Sequence, residues 1–324
     1  MSVRHRGQER GSLWAWLLNG LRLARAEIRL GRYQRGMAIM AAFAAIVSGF
    51  EAYTQHLRGA FSHWLMWTPV ALTPVVTAAA AAAVFSRRAA RRVLPLVSLI
   101  TLLDGVIGFI FHIRGIQRMP GGIKLGQYNI VMGPPVFAPL LMCTVGALGG
   151  VASLLRREKW DLTNERGSVR PLRRRRVADG AESPMARLTF DIAHGRFQQG
   201  FALLSVFFAL LSGGEAYFEH LRGSFNQRVM WAPVWVTPVM MLAGIGAACS
   251  RRIARVVLPV TSAVTFLVGT LGFVLHLRGL WRMPGRLGNF EFKVMLGPPL
   301  FAPLLFCAVG LLGLVAALLR REGD

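Results

Sequence analysis

The sequence has little charge for a chain of its length. Charged residues make up 16% of its 324 positions, whereas a soluble domain carries roughly a quarter. The apolar residues occur in runs of about 20, which is the length that crosses a bilayer core of about 30 Å. The composition therefore excludes an ordinary soluble domain and predicts an all-α integral membrane protein.

Acidic residues and cysteines are also scarce. There are 15 Asp and Glu against 38 Lys and Arg, which gives a formal net charge of +23. Such an excess can indicate nucleic-acid binding, but here the arginines flank apolar runs, so the predicted partner is the lipid bilayer and no nucleic acid is predicted. Cys143 and Cys307 lie inside apolar runs and Cys249 ends one, a spacing that excludes a disulfide framework or a zinc site.

The chain contains an internal repeat. A shift of 164 residues aligns 27–157 with 191–321 without a gap, and roughly half of the aligned positions are identical. Each copy holds four apolar runs, and an even number places both copies in the membrane in the same direction. We therefore predict eight transmembrane helices arranged as two tandem, parallel four-helix repeats.

The predicted boundaries follow from these runs. Residues 1–35 form a basic tail with an interfacial helix, 36–157 the first repeat, 158–190 an Arg-rich linker and 191–324 the second repeat. The predicted membrane helices are 36–56, 66–86, 93–113, 129–155, 199–221, 229–250, 254–277 and 292–319. No break within the membrane is predicted for any of them.

The distribution of arginine predicts the orientation. The tail, the linker, Arg320-Arg321 and the loops around Arg87 and Arg251 lie on one side of the predicted helices. By the positive-inside rule that side is cytoplasmic, with both termini. The expected location is the bacterial inner (plasma) membrane.

Polar residues of the same kind recur at the opposite, outer side of both copies. The first helix of each copy ends in Glu-Ala-Tyr-x-x-His-Leu-Arg-Gly, and the third in His-x-Arg-Gly. The candidate cofactor ligands are His56, His112, His220 and His276, with Arg58, Arg114, Arg222 and Arg278 two residues after them.

The spacing of small residues suggests what the histidines bind. Gly49, Ala52 and His56 share one helix face, as do Gly105, Gly108 and His112. Two histidines at one level above stripes of small residues are typical of a haem held between helices, and each nearby Arg is a candidate partner for a propionate. We predict one bis-histidine haem b per copy, with copper or non-haem iron as the alternative; small stripes also serve simple helix packing.

Glu51 and Glu215 lie more than a turn inside the predicted membrane boundary. A carboxylate at that depth is paired, protonated or in a wet cavity. The predicted roles are to orient a histidine by accepting a hydrogen bond from its ring, or to serve as a proton site. A buried Glu–Arg pair is the structural alternative.

The function predicted from these features is a membrane redox or electron-transfer subunit, with a protein partner at the outer or cytoplasmic face. Three alternatives stay open: a transporter or channel that uses Glu51 and Glu215 as ion or proton sites, a non-catalytic scaffold subunit, and a membrane enzyme with a non-haem metal. The sequence does not decide whether the protein is an enzyme.

Overall fold

The structure is a computed structural model that describes residues 22–155, 184–285, 290–319 and 321. Within these ranges every regular element is helical. Six helices are long and apolar enough to cross a membrane: Gln34–Arg58, Trp64–Phe85, Ala89–Arg118, Gln198–Arg222, Arg228–Cys249 and Arg251–Arg282. The all-α prediction is confirmed for the described residues, and these six helices agree with the predicted membrane protein.

The N-terminal half, 22–155, contains six α-helices. A helix over 22–29 is α1, and the others are α2 (Gln34–Arg58), α3 (Trp67–Phe85), α4 (Leu94–Arg118), α5 (Gly126–Met132) and α6 (Ala138–Leu154). A π-helical turn, Ala89–Val93, continues into α4. Short 3-10 turns precede α3 and α5.

The C-terminal half, 184–321, follows the same order. Its helices are α7 (Pro184–Ala193), α8 (Gln198–Arg222), α9 (Ala232–Cys249), α10 (Arg251–Arg282), α11 (Phe290–Leu296) and α12 (Leu304–Leu318). The bounds of α8 are those of α2 displaced by 164 residues.

The predicted continuous helices 129–155 and 292–319 are wrong. In the N-terminal half the helix is interrupted after α5, at Gly133-Pro134-Pro135. In the C-terminal half it is interrupted after α11, at Gly297-Pro298-Pro299. Proline lacks the amide that would continue the hydrogen-bond ladder and its ring clashes with the preceding turn. What remains beyond the break is a helix of 17 residues in α6 and of 15 in α12.

The described part of the predicted tail contains a helix over 22–29. Its interfacial position stays a prediction, and the earlier part of the tail lies outside the described residues. A helix, α7, begins at Pro184, inside the predicted linker 158–190. The linker residues 158–183 lie outside the described part of the chain.

Each half packs as a bundle in which the first and third long helices lie on a diagonal. In the N-terminal half α2 packs against α3 and α6, and α4 packs against α6 and α3. Small residues allow the helices to approach closely. At Gly146, for example, an added Cβ would lie only 2.6 Å from the Ser98 carbonyl oxygen. The core is built largely of alanine, with Met37 and Phe201 among its fully buried large side chains.

The two halves meet at both ends of the helices. At one end, which we call the arginine end because Arg25, Arg29, Arg251 and Arg255 lie there, the turns before α2 and α8 touch. A Cβ on Gly31 would lie 2.7 Å from the Gly195 nitrogen, and the reverse distance is also 2.7 Å. Both residues have φ near +70°, so glycine is required for the conformation and for the approach.

Candidate functional site at the histidine end of the helices

The other end, which we call the histidine end, brings together the four histidines that the sequence singles out. The ring centroids of His56 on α2 and His112 on α4 are 6.3 Å apart, with an interplanar angle of 65°. Those of His220 on α8 and His276 on α10 are 6.4 Å apart at 71°. Each half therefore pairs two imidazoles across the diagonal of its bundle.

The helix break anchors one histidine of each pair. His112 Nδ1 lies 2.6 Å from the Pro135 carbonyl, and His276 Nδ1 lies 2.6 Å from the Pro299 carbonyl. These carbonyls are open because the residue four positions later is Pro139 or Pro303, which has no amide to donate. A carbonyl only accepts, so each Nδ1 carries the proton and each Nε2 keeps its lone pair.

The other histidine of each pair faces a second carbonyl. His220 Nδ1 donates to the Met230 carbonyl at 2.8 Å. The corresponding Nδ1 of His56 is buried beside the Met66 carbonyl, but without the geometry of a full hydrogen bond. Metal-binding histidines commonly donate the second ring nitrogen to such an acceptor, which fixes the tautomer and the ring orientation.

The open peptide groups of the helix break in the N-terminal half are satisfied by α8. Glu215 Oε2 accepts from the Phe137 amide at 2.8 Å, and Arg222 donates to the carbonyls of Val131 and Gly133, each at 2.9 Å. The Glu and Arg are seven residues apart and so share one helix face. One face of α8 thus supplies an acceptor and a donor to the break.

The reciprocal contact joins α2 to the break of the C-terminal half. Glu51 Oε2 accepts from the Phe301 amide at 3.4 Å. Arg58 donates to the Gly297 carbonyl at 2.8 Å and to the carbonyls of Val294 and Met295. The predicted roles of the two glutamates, as hydrogen-bond acceptors for a histidine or as proton sites, stay predictions.

The predicted arginines thus divide into two groups. Arg58 and Arg222 donate hydrogen bonds to backbone carbonyls at the helix break of the other half. Arg114 and Arg278 lie exposed at the histidine end, two residues after His112 and His276. All four arginines are exposed, and the assignment of any of them to a cofactor carboxylate stays a prediction.

A strained turn borders each histidine pair. Ala60 and Phe61 both have positive φ, at 53° and 46°, and Ser224 and Phe225 repeat this at 56° and 45°. Side chains other than glycine rarely adopt this conformation, and such strain concentrates at functional sites. The phenylalanine of each turn lies 6.1 Å from the histidine ring and stacks on a tryptophan, Trp67 or Trp231.

The stripes of small residues have a different role from the one predicted. A Cβ on Gly105 would lie 2.6 Å from Cys143 Sγ, one on Gly108 3.0 Å from Pro139 Cβ, and one on Gly49 1.9 Å from Thr73 Oγ1. These faces are filled by α3 and α6. The stripes therefore allow close helix packing, and the support for a cofactor rests on the imidazole pairs.

The two halves differ around their sites. Phe50 packs edge-on against Phe301 with centroids 4.9 Å apart, whereas Gly214 admits the Phe137 ring so closely that a Cβ would lie 2.7 Å from it. Asp104 accepts a 2.5 Å hydrogen bond from Thr68, and its counterpart in the other half is Val268. The two sites are therefore chemically similar but not equivalent.

The donor set at each site consists of two imidazoles. Within the described ranges, no group of three or more His, Cys, Asp or Glu side chains gathers as a metal cluster. Two imidazoles that bind one ion at about 2 Å each place their ring centroids roughly 6 Å apart. The observed spacing is compatible with an ion held by both rings, and a haem iron would need no protein ligand beyond two histidines.

Four residues of this arrangement were not predicted from the sequence. Phe137 and Phe301 supply the amides that the glutamates accept from, and Pro139 and Pro303 leave the histidine-binding carbonyls open. The signal was available, because Gly-Pro-Pro-x-Phe-Ala-Pro recurs without change in both halves.

No protein-family model, curated protein or solved structure matches this chain.

Proposed function

We propose that this protein is a membrane electron-transfer subunit that holds one redox metal centre in each half, bound by two histidines. The observation that carries the proposal is the recurrence of the imidazole pair at 6.3 and 6.4 Å. The anchored Nδ1 atoms of three of the four histidines and the strained turns beside both pairs support it.

We propose haem b as the cofactor to test first, with copper as the alternative. A haem iron needs two protein ligands, and two are what each site provides, whereas a non-haem iron site needs a third side chain. His56 and His112 would hold one haem, and His220 and His276 the other. When bound, haem would supply a one-electron couple. The imidazoles would hold it, and Arg114 and Arg278 are the candidate partners of its propionates.

We also propose that the chain crosses the membrane eight times, as two parallel sets of four helices. The turns before α2 and α8 touch at the arginine end, so the N-terminal half must cross an even number of times. Three of its helices are long enough, and the 17 residues of α6 extend about 25 Å. With α6 as the fourth crossing the count is even, and both redox sites lie at one face.

The decisive experiment is an absorption spectrum of the purified full-length protein, first oxidised in air and then reduced with dithionite. We expect a Soret band that shifts on reduction together with a resolved α band, and we expect both to be lost in the His56→Ala, His112→Ala, His220→Ala, His276→Ala variant. His63→Ala is the matched control, because His63 lies at the same end but outside both pairs. A colourless, metal-free protein from native membranes would refute the proposal.

One observation favours a second candidate, a transporter. The fourth proposed crossing of each half is interrupted. A carboxylate from the other half accepts a hydrogen bond from the backbone amide just before the helix resumes. Interrupted helices of this kind form ion and substrate sites in transporters. This candidate predicts that Glu215→Gln alters flux in proteoliposomes while the histidine variants leave the flux unchanged. A redox subunit instead predicts that the histidine variants abolish its activity.

A further inference from the structure

Asp104 places a carboxyl group at the middle of a membrane span. It lies on α4, within the 30-residue span Ala89–Arg118. Ile100, Ile107 and Phe111 share its helix face, because they lie four residues before it and three and seven residues after it. These three side chains are 44%, 48% and 41% exposed, and Asp104 between them is half-exposed. In a membrane, the carboxyl therefore lies on a face of α4 that meets hydrocarbon chains.

The carboxyl group has one polar partner. Asp104 Oδ1 accepts the hydrogen bond from the Thr68 hydroxyl of α3 at 2.5 Å. Within the described ranges, Oδ2 makes no hydrogen bond and Asp104 forms no ion pair. The helix α3 carries no titratable side chain, and α6 carries only Cys143, whose thiol donates to the Leu102 carbonyl at 3.3 Å. The long helices packed against α4 therefore offer no cation to this carboxyl.

The other titratable groups around α4 lie toward its two ends. They are Arg91 and Arg92 on the π-helical turn before it, and His63, His112, Lys124 and Tyr128 at the histidine end. Of these, His112 is the nearest along the chain, eight residues or about 12 Å along the helix axis from Asp104. The carboxyl is therefore isolated from charge within the span.

The C-terminal half lacks both members of the pair. Displacement by 164 residues relates Thr68 to Ala232 and Asp104 to Val268. Val268 is half-exposed, as Asp104 is. The four-helix unit therefore forms in the C-terminal half without the hydroxyl and without the carboxyl, so its fold does not require them.

We propose that Asp104 is a proton-binding site, whose carboxyl holds a proton on Oδ2 while it faces the hydrocarbon. Ionised side chains inside a membrane turn to the protein interior, to a wet cavity or to a partner of opposite charge. Asp104 faces outward with one hydroxyl as its partner, so the neutral acid suits its surroundings. Carboxyl groups within membrane spans serve as proton relays, in which the acid gives its proton to a base and the carboxylate takes one back.

The proposal does not depend on the function of the histidine pairs. It requires only that α4 cross the membrane. It assigns an exchangeable proton to the N-terminal half and none to the corresponding place in the C-terminal half.

The test uses dicyclohexylcarbodiimide, an apolar reagent that adds to protonated carboxyl groups. The O–H of the acid adds across one C=N bond of the reagent, no group leaves, and rearrangement gives a stable N-acylurea. The full-length protein in liposomes is labelled at neutral pH, and the modified residues are identified by mass spectrometry of its peptides. Glu219 is the internal control, because it pairs with Arg222 at 3.0 Å near the surface.

We expect Asp104 to be labelled at least about 100-fold faster than Glu219, because a carboxyl in water is protonated only about once in several hundred molecules at neutral pH. Equal rates at the two residues would overturn the proposal. A water-soluble carbodiimide should leave Asp104 unlabelled. Labelling by that reagent as fast as by the apolar one would overturn the proposal as well, because the carboxyl would then face water.

The C-terminal half supplies a gain-of-function arm. Ala232→Thr with Val268→Asp installs the pair on a face that is also apolar, since Val264 and Leu271 beside it are 46% and 50% exposed. We expect the installed carboxyl to be labelled at a rate similar to that of Asp104. An unlabelled carboxyl in the folded variant would overturn the proposal, because the helix face would then not hold the proton.

A second measurement detects the proton directly. The infrared spectrum of the natural protein minus that of Asp104→Asn should contain the carbonyl band of an un-ionised carboxyl at neutral pH. A carboxylate band in its place would overturn the proposal. The labelling of the natural protein decides the matter even where this variant does not fold.

Discussion

Glu215 accepts a hydrogen bond from the Phe137 amide across the boundary between the two halves, at 2.8 Å. The Phe137 amide lacks an acceptor within its own helix because the helix is interrupted just before it. Glu215 supplies the acceptor because it lies on the face of α8 that meets this break. The same relationship joins Glu51 to Phe301 at 3.4 Å. Each half therefore completes the broken helix of the other.

This relationship predicts a stability difference between two glutamates of α8. Replacing Glu215 by Ala leaves the Phe137 amide without its acceptor, which costs about 1–3 kcal/mol. Glu215→Gln keeps an acceptor and should lose less. Glu219 pairs with Arg222 at 3.0 Å nearer the surface, so Glu219→Ala should cost about 1 kcal/mol or less. Thermal unfolding in detergent checks the order, and equal losses at positions 215 and 219 would contradict it.

The glycine contact at the arginine end predicts a sensitive position. Gly31→Ala places a Cβ 2.7 Å from the Gly195 backbone and forces an unfavourable positive φ, so we expect a loss of about 2 kcal/mol or more. Gly36 lies five residues on, inside α2, with nothing within 4 Å of an added Cβ. Gly36→Ala should be neutral or stabilising by about 0.5–1 kcal/mol. Comparable destabilisation by both substitutions would show that the contact between the turns is unimportant.

Close packing of α4 on α6 predicts a link between a glycine and the histidine pair. Gly105→Ala would press on Cys143 and Pro139 and push α6 away from α4, and the Pro135 carbonyl moves with α6. We expect lower stability and less bound cofactor, measured by unfolding and by absorbance per chain. Gly150→Ala on α6 meets nothing within 4 Å and should change neither quantity.

The separate pairs predict additive cofactor content. His220→Ala with His276→Ala should remove one of two redox centres, so metal or haem per chain should fall by about half, because each centre takes its two axial ligands from one pair. The remaining signal should keep its spectrum. Complete loss on removing one pair would indicate a single centre shared between the halves.

The two arginine groups predict opposite phenotypes. Arg222→Ala frees the carbonyls of Val131 and Gly133, so stability should fall by about 1–3 kcal/mol. Arg278 is exposed, so Arg278→Ala should leave stability nearly unchanged and shift the redox potential of its centre if it faces a propionate. Potentiometric titration beside thermal unfolding separates the two effects. Identical behaviour of the two variants would remove the distinction.

Composition and the pattern of apolar runs were sufficient to predict a helical membrane protein, because crossing a bilayer demands long apolar helices whatever they pack against. The six long helices lie within a few residues of their predicted bounds. The sequence also singled out the four histidines, since their His-x-Arg ends recur 164 residues apart. That recurrence is a property of the chain alone.

Only the tertiary structure decided what these residues meet. The helix break at Gly133-Pro134-Pro135 leaves a carbonyl for His112 and an amide for Glu215, and these partners lie 23 and 78 residues away along the chain. Helical periodicity assigns a residue to a helix face but does not say which helix packs against that face. The glycine stripes therefore suggested room for a cofactor, whereas in the structure α3 and α6 pack against them. The physical reason is that facing residues are set by the packing of whole helices, which spacing within one helix does not specify.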